Sequence, residues 1–399
     1  MKRIVVVGAG LAGLRTVEAL RKLGFDGAVT LLGAEEIGPY DRPPLSKQVL
    51  TGKGDPAETA YRSAAHYADL RVELRLGQPA TALDLTSRTV KTDGGELSFD
   101  GLIVATGAAA RLLAVESGPS RIHRLRTLDD ARELRDALQV SRHVVVIGAG
   151  FIGSEIASSA RMLGLEVTLL EAAPVPLARV VGPQIGQICA ALHRENGTRL
   201  ICGAQVGSVE GSGRVRLTDG RIIEGDLVVA GIGAAPETGW LASSGLTVAD
   251  GLVCDPFLSA GHPAVYAAGD VVRWRNPLFG TSMRTEQWTN AVEQARRAAA
   301  NLLADPGKGQ PYAGVNYFWS DQYGVRIQSA GIAEADEVRV VHGSPAEFRF
   351  LAYYRKGDRL VGAFAMDQPV PLVRSKLLIE ARTSWEEALS LVRAGEILT

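Results

Sequence analysis

Cysteine is scarce. The chain of 399 residues carries three, Cys189, Cys202 and Cys254, with none before position 189. An odd, widely spaced set excludes a disulfide framework and a zinc site, and each thiol reads as a small buried apolar residue in a reducing compartment such as the cytoplasm. The six histidines are scattered without an H-E-x-x-H spacing, so no metal site is expected. Neither sign of charge is in excess: the net charge is −1 and no long basic run occurs, which excludes bulk attraction to nucleic acid or an anionic membrane. No stretch of roughly 18 residues is both apolar and free of charge, so no membrane span is expected. What remains is 46% hydrophobic and 22% charged, the balance of a globular enzyme, at a length that suggests two to three domains.

The first twenty residues read MKRIVVVGAGLAGLRTVEAL. A charged start before an apolar run has the outline of a signal peptide. The glycines, and the charges at Arg15, Glu18 and Arg21, favour a strand, a turn and a helix instead. Ile4–Val7 are β-branched throughout, as in a strand buried on both faces. Gly8, Gly10 and Gly13 follow at G-x-G-x-x-G spacing, and Leu14, Val17, Leu20 and Leu23 then recur at helical spacing. The pattern returns from Val144 as VVVIGAGFIGSEIASSARMLGLEVTLLE, with Gly148, Gly150 and Gly153. Each helix pattern leads into a further apolar strand, AVTLLG in the first copy and EVTLLE in the second, and an acid closes each unit, Glu35 and Glu171.

One such glycine pattern is equally a tight strand–helix packing. Two copies, each in βαβ context with an acid about 20 residues on, point to two dinucleotides. The first glycine permits the sharp turn, the second leaves room for a pyrophosphate, and the third lets helix and strand pack closely. The helix N-terminus then offers N–H groups and partial positive charge to the phosphates. The economical pair of ligands is FAD and a nicotinamide dinucleotide. Glu171 suits a free ribose 2′-hydroxyl and repels a 2′-phosphate, and Ala172–Val175 supply no arginine beside it, so NADH is expected over NADPH. In VYAAGDVVRW, Asp270 stands where a strand meets a glycine turn, either as an acceptor for ribityl hydroxyls or as a helix N-cap. Beyond Trp319, EVRVV, FRFLAYY and RLVGAFAM read as strands, followed by a helix near Ser384–Arg393.

These segments resemble the two-dinucleotide-binding-domain flavoprotein reductases of glutathione reductase-like fold. Within them the chain is most similar to the FAD-dependent ferredoxin reductases of the putidaredoxin reductase type, which serve cytochrome P450 and Rieske dioxygenase systems. The resemblance runs nearly end to end through PYDRPPLSK, LRTLDDA, the two glycine patterns, GIGAAP, AAGDV, TEQWTNAVEQAR and FWSDQY. It implies an α/β architecture of two Rossmann-like domains plus an α+β C-terminal interface domain. The FAD domain would take residues 1–111 and 237–318, the NAD domain 112–236, and the C-terminal domain 319–399.

For FAD the resemblance implies contacts from Gly8, Gly10, Ala12, Gly13, Glu35, Arg42, Lys47, Ala80, Arg126, Asp270 and Trp288. For NAD it implies Gly148, Gly150, Ile152, Gly153, Glu155, Glu171, Gly231 and Gly233. Lys47 would be a cation near flavin N5, though alone it also reads as a surface lysine ending a turn. Glu155 would lie beside the nicotinamide. Trp288 would open a helix whose positive end faces the pyrimidine side of the flavin; Trp288 and Trp319 also read as plain core residues.

The implied reaction is hydride transfer from NADH to FAD, followed by single-electron delivery to an acidic iron–sulfur ferredoxin that feeds a cytochrome P450 or Rieske oxygenase. Thiol-relaying relatives need cysteines that this chain lacks near the flavin. Reduction of monodehydroascorbate, a quinone or oxygen, and a role as a redox sensor or interaction protein, stay open. Some of Arg273, Arg275 and Arg284 are expected to guide ferredoxin docking, or else to be solvated loop charges.

Overall fold

A computed structural model of the chain describes residues 1–113, 116–117, 122–210 and 213–398. They divide into two compact units. The first gathers Met1–Asp41, Ala60–Ala109 and Ala235–Asn316; the second gathers Arg42–Thr59, Ala110–Ala234 and the residues from Tyr317 onward.

In the first unit the β-branched run becomes the strand Arg3–Val7, flanked by Gly101–Val104 and Ala28–Leu32, both parallel to it. The full sheet has six strands, with Val72–Arg75 at one edge and Val265–Ala267 and Ser259–His262 at the other. Ile4, Val5, Val6 and Val7 are all buried, as expected of a strand covered on both faces. The helix Leu11–Lys22 covers one face with Leu14, Val17 and Leu20 and packs against the helix Trp288–Leu303. Ala291, Ala295, Ala298 and Ala299 are buried on that second helix, so the two can approach closely. Two three-stranded sheets complete the unit: Ala80–Asp84, Thr89–Thr92 and Gly95–Ser98, then Leu252–Cys254, Val272–Asn276 and Thr281–Arg284.

In the second unit the repeat forms a parallel sheet in the order Ile122–His123, Leu227–Ala230, His143–Ile147, Glu166–Glu171, Arg199–Cys202. The helix Phe151–Met162 follows the second glycine pattern. The helical stretch Ala178–Glu195 kinks where Gly182 takes φ 76° before Pro183. A separate five-stranded antiparallel sheet runs in the order Tyr317–Gln322, Val325–Gly331, Arg359–Met366, Arg349–Lys356, Glu337–Ser344. It contains the three expected strands and adds a hairpin at Tyr317 that the sequence pattern did not single out. The expected C-terminal helix is Trp385–Arg393, capped by Ser384, whose Oγ accepts from the Glu387 N–H. The architecture is therefore α/β with Rossmann-like parallel sheets and a separate C-terminal antiparallel sheet.

Candidate dinucleotide-binding sites

Both glycine turns are built alike. Gly8 takes φ +114° and Gly148 φ +96°, conformations that L side chains rarely adopt. A Cβ on Gly8 would strike the Ala105 carbonyl, just past the neighbouring strand, and one on Gly148 would strike the Gly231 carbonyl in the corresponding place. A Cβ on Gly13 or Gly153 would strike the carbonyl of the first glycine of its own turn. The middle glycines differ in kind. A Cβ on Gly10 would meet nothing within 4 Å, and one on Gly150 would meet only the Gly231 carbonyl, at 3.9 Å. The first and third glycines are thus required by the protein's own packing, whereas the second leaves open space over a helix N-terminus. A pyrophosphate fits that cradle, and the residues present suit a dinucleotide at each turn.

The closing acids are not equivalent in register. Ile147 pairs with Leu170 in the second unit as Val7 pairs with Leu32 in the first, so Glu171 corresponds to Gly33, and Glu35 lies two residues farther on. Glu171 accepts from the Ala149 N–H at 2.7 Å and the Ala173 N–H at 2.8 Å, which fixes its carboxylate at the mouth of the turn. Glu35 accepts instead from the Tyr40 hydroxyl at 2.7 Å.

Asp270 does not cap a helix, because the chain turns at once into the strand Val272–Asn276. Gly269 lies close to Ala12 in the first glycine turn: a Cβ on Gly269 would come within 3.0 Å of the Ala12 Cβ. That approach sets Asp270 beside the turn. Trp288 does begin a helix, and the Gln287 side chain makes no cap. Its indole N–H reaches Tyr61 Oη at 3.0 Å and Asp41 Oδ1 at 3.2 Å, and the Tyr61 hydroxyl donates to Asp41 Oδ1 at 2.5 Å. Burial, then Asp41, pushes the Tyr61 hydroxyl well above its ordinary pKa. Trp288 and Trp319 are both half-buried rather than core residues. Ala80 lies half-buried at the edge of its strand, against the main core.

Lys47 and Glu155, 108 residues apart, meet in a largely buried ion pair of 2.6 Å. The Glu155 side chain is 4% exposed and that of Lys47 14%, so Lys47 is no surface lysine. Ser46 Oγ donates to Glu155 Oε2 at 2.5 Å and Ser320 Oγ to Oε1 at 2.7 Å. Lys47 sits in a widened turn, Leu45–Val49, where the Val49 N–H bonds the Pro44 carbonyl five residues back. The Arg42 guanidinium donates to the Arg126 carbonyl. Ile152 lies exposed in the first turn of the second fingerprint helix, and Gly233, at φ +95°, faces open space. Gly231 has a structural duty of its own, since a Cβ there would press on Gly153.

Of the residues assigned on sequence to FAD, Gly8, Gly10, Ala12, Gly13, Glu35, Ala80, Asp270 and Trp288 lie in the first unit, while Arg42, Lys47 and Arg126 lie in the second with all those assigned to NAD. Sequence reasoning missed Ser46, Ser320, Tyr40, Asp41 and Tyr61. Ser46, Tyr40 and Asp41 belong to the quoted PYDRPPLSK stretch, and Ser320 to FWSDQY, so the motifs held the signal without assigning the roles.

The arginine expectation needs correction at one position. The Arg284 side chain is 11% exposed and bonds Glu286 at 2.5 Å, Asp250 at 3.3 Å and the Asp270 carbonyl at 3.3 Å, so it is an internal strap. Arg273 pairs with Asp250 at 3.2 Å, and Arg275 is exposed. Burial pushes the Cys189 thiol up to about 12 and raises that of Cys254 as well, which leaves both poor nucleophiles.

Residues 2–295 match the family model described as pyridine nucleotide-disulphide oxidoreductase, and residues 317–391 match one described as reductase C-terminal. The chain is 35% identical over 397 residues to putidaredoxin reductase from Pseudomonas putida, covering 97% of this chain and 93% of that protein. It is 39% identical over 366 residues to the biphenyl dioxygenase system ferredoxin–NAD(+) reductase component of Paraburkholderia xenovorans, covering 90% and 88%. Its backbone matches a chain in the crystal structure of the covalent putidaredoxin reductase–putidaredoxin complex with a TM-score of 0.92 at 34% identity, covering 99% of this chain and 98% of that one.

Proposed function

The chain belongs to the pyridine nucleotide-disulphide oxidoreductase family, and from that membership we propose that it oxidises NADH with FAD as resident cofactor and delivers electrons singly to a small iron–sulfur ferredoxin. The observation that carries the reading is end-to-end similarity to reductase components of ferredoxin systems, joined to a turn at Leu45–Val49 that presents Lys47 and no cysteine. Bound FAD supplies the conversion between two-electron and one-electron transfer. The ferredoxin would in turn feed a cytochrome P450 or a Rieske oxygenase.

This chain's residues bind and orient. The open face of Gly10 would take one pyrophosphate and that of Gly150 the other, each over a helix N-terminus. Asp270 would accept from ribityl hydroxyls beside the first turn. Glu171, already held by two backbone N–H groups, would accept from the 2′-hydroxyl of NADH. Hydride transfer needs a fixed geometry rather than a protein acid or base, and the buried Lys47–Glu155 pair would supply part of that rigidity. Three free cysteines suit a cytoplasmic setting, and no helix of the described residues is long and apolar enough to cross a membrane.

The test is NADH-dependent cytochrome c reduction with and without added [2Fe–2S] ferredoxins. Rapid turnover only when a ferredoxin is present, with slow consumption of oxygen and quinones, is the expected result. Equal rates with and without every ferredoxin, alongside fast quinone reduction, would assign a small acceptor instead.

A further inference from the structure

The strand Tyr317–Gln322 and the helix Phe151–Met162 meet in step. A strand repeats a face every two residues, about 6.6 Å, and a helix brings i, i+4 and i+7 along one face at about 5–6 Å intervals. Phe318 packs on Phe151 with ring centroids 4.1 Å apart. Ser320 Oγ donates to Glu155 Oε1 at 2.7 Å. The Tyr323 N–H, in the turn beyond the strand, donates to Ser158 Oγ at 2.7 Å. Positions 151, 155 and 158 of the fingerprint helix are thus met by Phe318 and Ser320 of the strand and by Tyr323 in the turn that follows it.

At the middle contact Glu155, Ser320, Ser46 and Gln322 are all buried. Glu155 Oε2 accepts from Lys47 Nζ and Ser46 Oγ, and Ser320 is the donor to Oε1 among the described residues. Behind it, Gln322 Nε2 donates to Ser320 Oγ at 3.1 Å, so the hydroxyl's own proton is committed to Glu155. That arrangement leaves Gln322 Oε1 without a partner among the described residues. A charged acceptor outcompetes an amide oxygen for one hydroxyl proton, and a buried carboxylate depends on its donors to keep both ionisation and orientation.

We propose that Ser320 is a positioning residue for Glu155, by which the C-terminal sheet sets the carboxylate beside the second glycine turn. Held at Oε1, Glu155 presents Oε2 to Lys47 in one orientation. The inference rests on reading the second turn as the nicotinamide site, and it predicts an effect on geometry rather than on affinity. Affinity is expected to lie with the pyrophosphate cradle and Glu171, which Ser320 does not touch.

The variants S320T and S320V separate the hydroxyl from the space it fills, because threonine and valine have nearly one shape and differ by that hydroxyl. With the FAD-loaded enzyme, NADH and ferricyanide, S320V should lose about tenfold in kcat with KM for NADH changed less than about twofold, while S320T stays near wild type. Equal impairment of the two variants assigns the effect to crowding and overturns the proposal, as does wild-type behaviour of S320V. A second measurement needs no turnover. In thermal unfolding, S320V should lower Tm, yet add little to the loss already caused by E155M, because the hydroxyl's partner is gone. Fully additive losses would overturn the contact. If wild type itself neither binds NAD+ nor reduces ferricyanide with NADH, the functional reading fails while the Tm coupling still decides the contact.

Discussion

Glu171 is the residue on which the proposed coenzyme choice turns. Its two oxygens are tied to the Ala149 and Ala173 N–H groups, so the carboxylate cannot swing aside to admit a 2′-phosphate. NADH should be favoured over NADPH by at least about tenfold in kcat/KM, a difference of about 1.4 kcal/mol. Glu171→Arg should narrow or reverse that ratio; equal values for both coenzymes in the wild-type enzyme would remove Glu171 from the role. His193 bears on stability instead. It bonds Tyr323 at 2.8 Å and Ser154 at 3.2 Å in the second unit. Burial, and then the Arg194 charge, lowers its pKa from 6.5 to about 4. The folded state therefore binds fewer protons than the unfolded one, and the stability from a neutral His193 is complete above about pH 6.5 and lost as pH falls toward 4. The full loss is about 3 kcal/mol. His193→Gln should flatten the fall of Tm between pH 6.5 and 4.5 relative to wild type, and parallel profiles would show that other groups govern it.

At the scale of elements, the glycine turns make opposite demands at neighbouring positions. The space outside Gly10 is open, so Gly10→Val should leave the fold intact and obstruct the pyrophosphate. Gly13→Ala puts a methyl group into the Gly8 carbonyl and should destabilise the first unit whether or not FAD is present. Purified Gly10→Val is thus expected as folded, colourless protein with unchanged far-ultraviolet circular dichroism. A yellow preparation holding one FAD per chain would place the phosphates elsewhere. The helix Trp288–Leu303 is set by a different device. Asp41 and Tyr61, from separate stretches of the first unit, both reach the Trp288 indole and fix where that helix begins.

For the molecule as a whole, a net charge of −1 gives no bulk attraction for an acidic ferredoxin, so steering must come from local patches. With Arg284 held internally and Arg273 paired to Asp250, Arg275 is the member of the predicted trio best placed to act through solvent. Ferredoxin-dependent turnover should fall as salt rises, since screening shortens the reach of such charges, while ferricyanide reduction changes much less. Arg275→Glu should raise the apparent KM for ferredoxin and leave that for NADH unaltered. An unchanged ferredoxin KM at low salt would move the docking face away from this strand.

The two βαβ units and their glycine turns were legible in the sequence, and the expectation of NADH could be read there too, because each rests on local physics. A β-branched run, three glycines and a 3.6-residue repeat act over some twenty residues, and a carboxylate repels a phosphate wherever it stands. The C-terminal strands Glu337–Ser344, Arg349–Lys356 and Arg359–Met366 were readable for the same reason. Tertiary structure alone decided the pairings. Nothing near Lys47 announces a partner 108 residues away, and nothing in FWSDQY says that Ser320 rather than Asp321 faces Glu155. Arg284 looked like free surface charge until its three partners were in place. Hydrogen bonds and ion pairs depend on ångström-scale approach between distant segments, which spacing along one chain does not encode, whereas strand, turn and helix patterns are written into neighbouring residues.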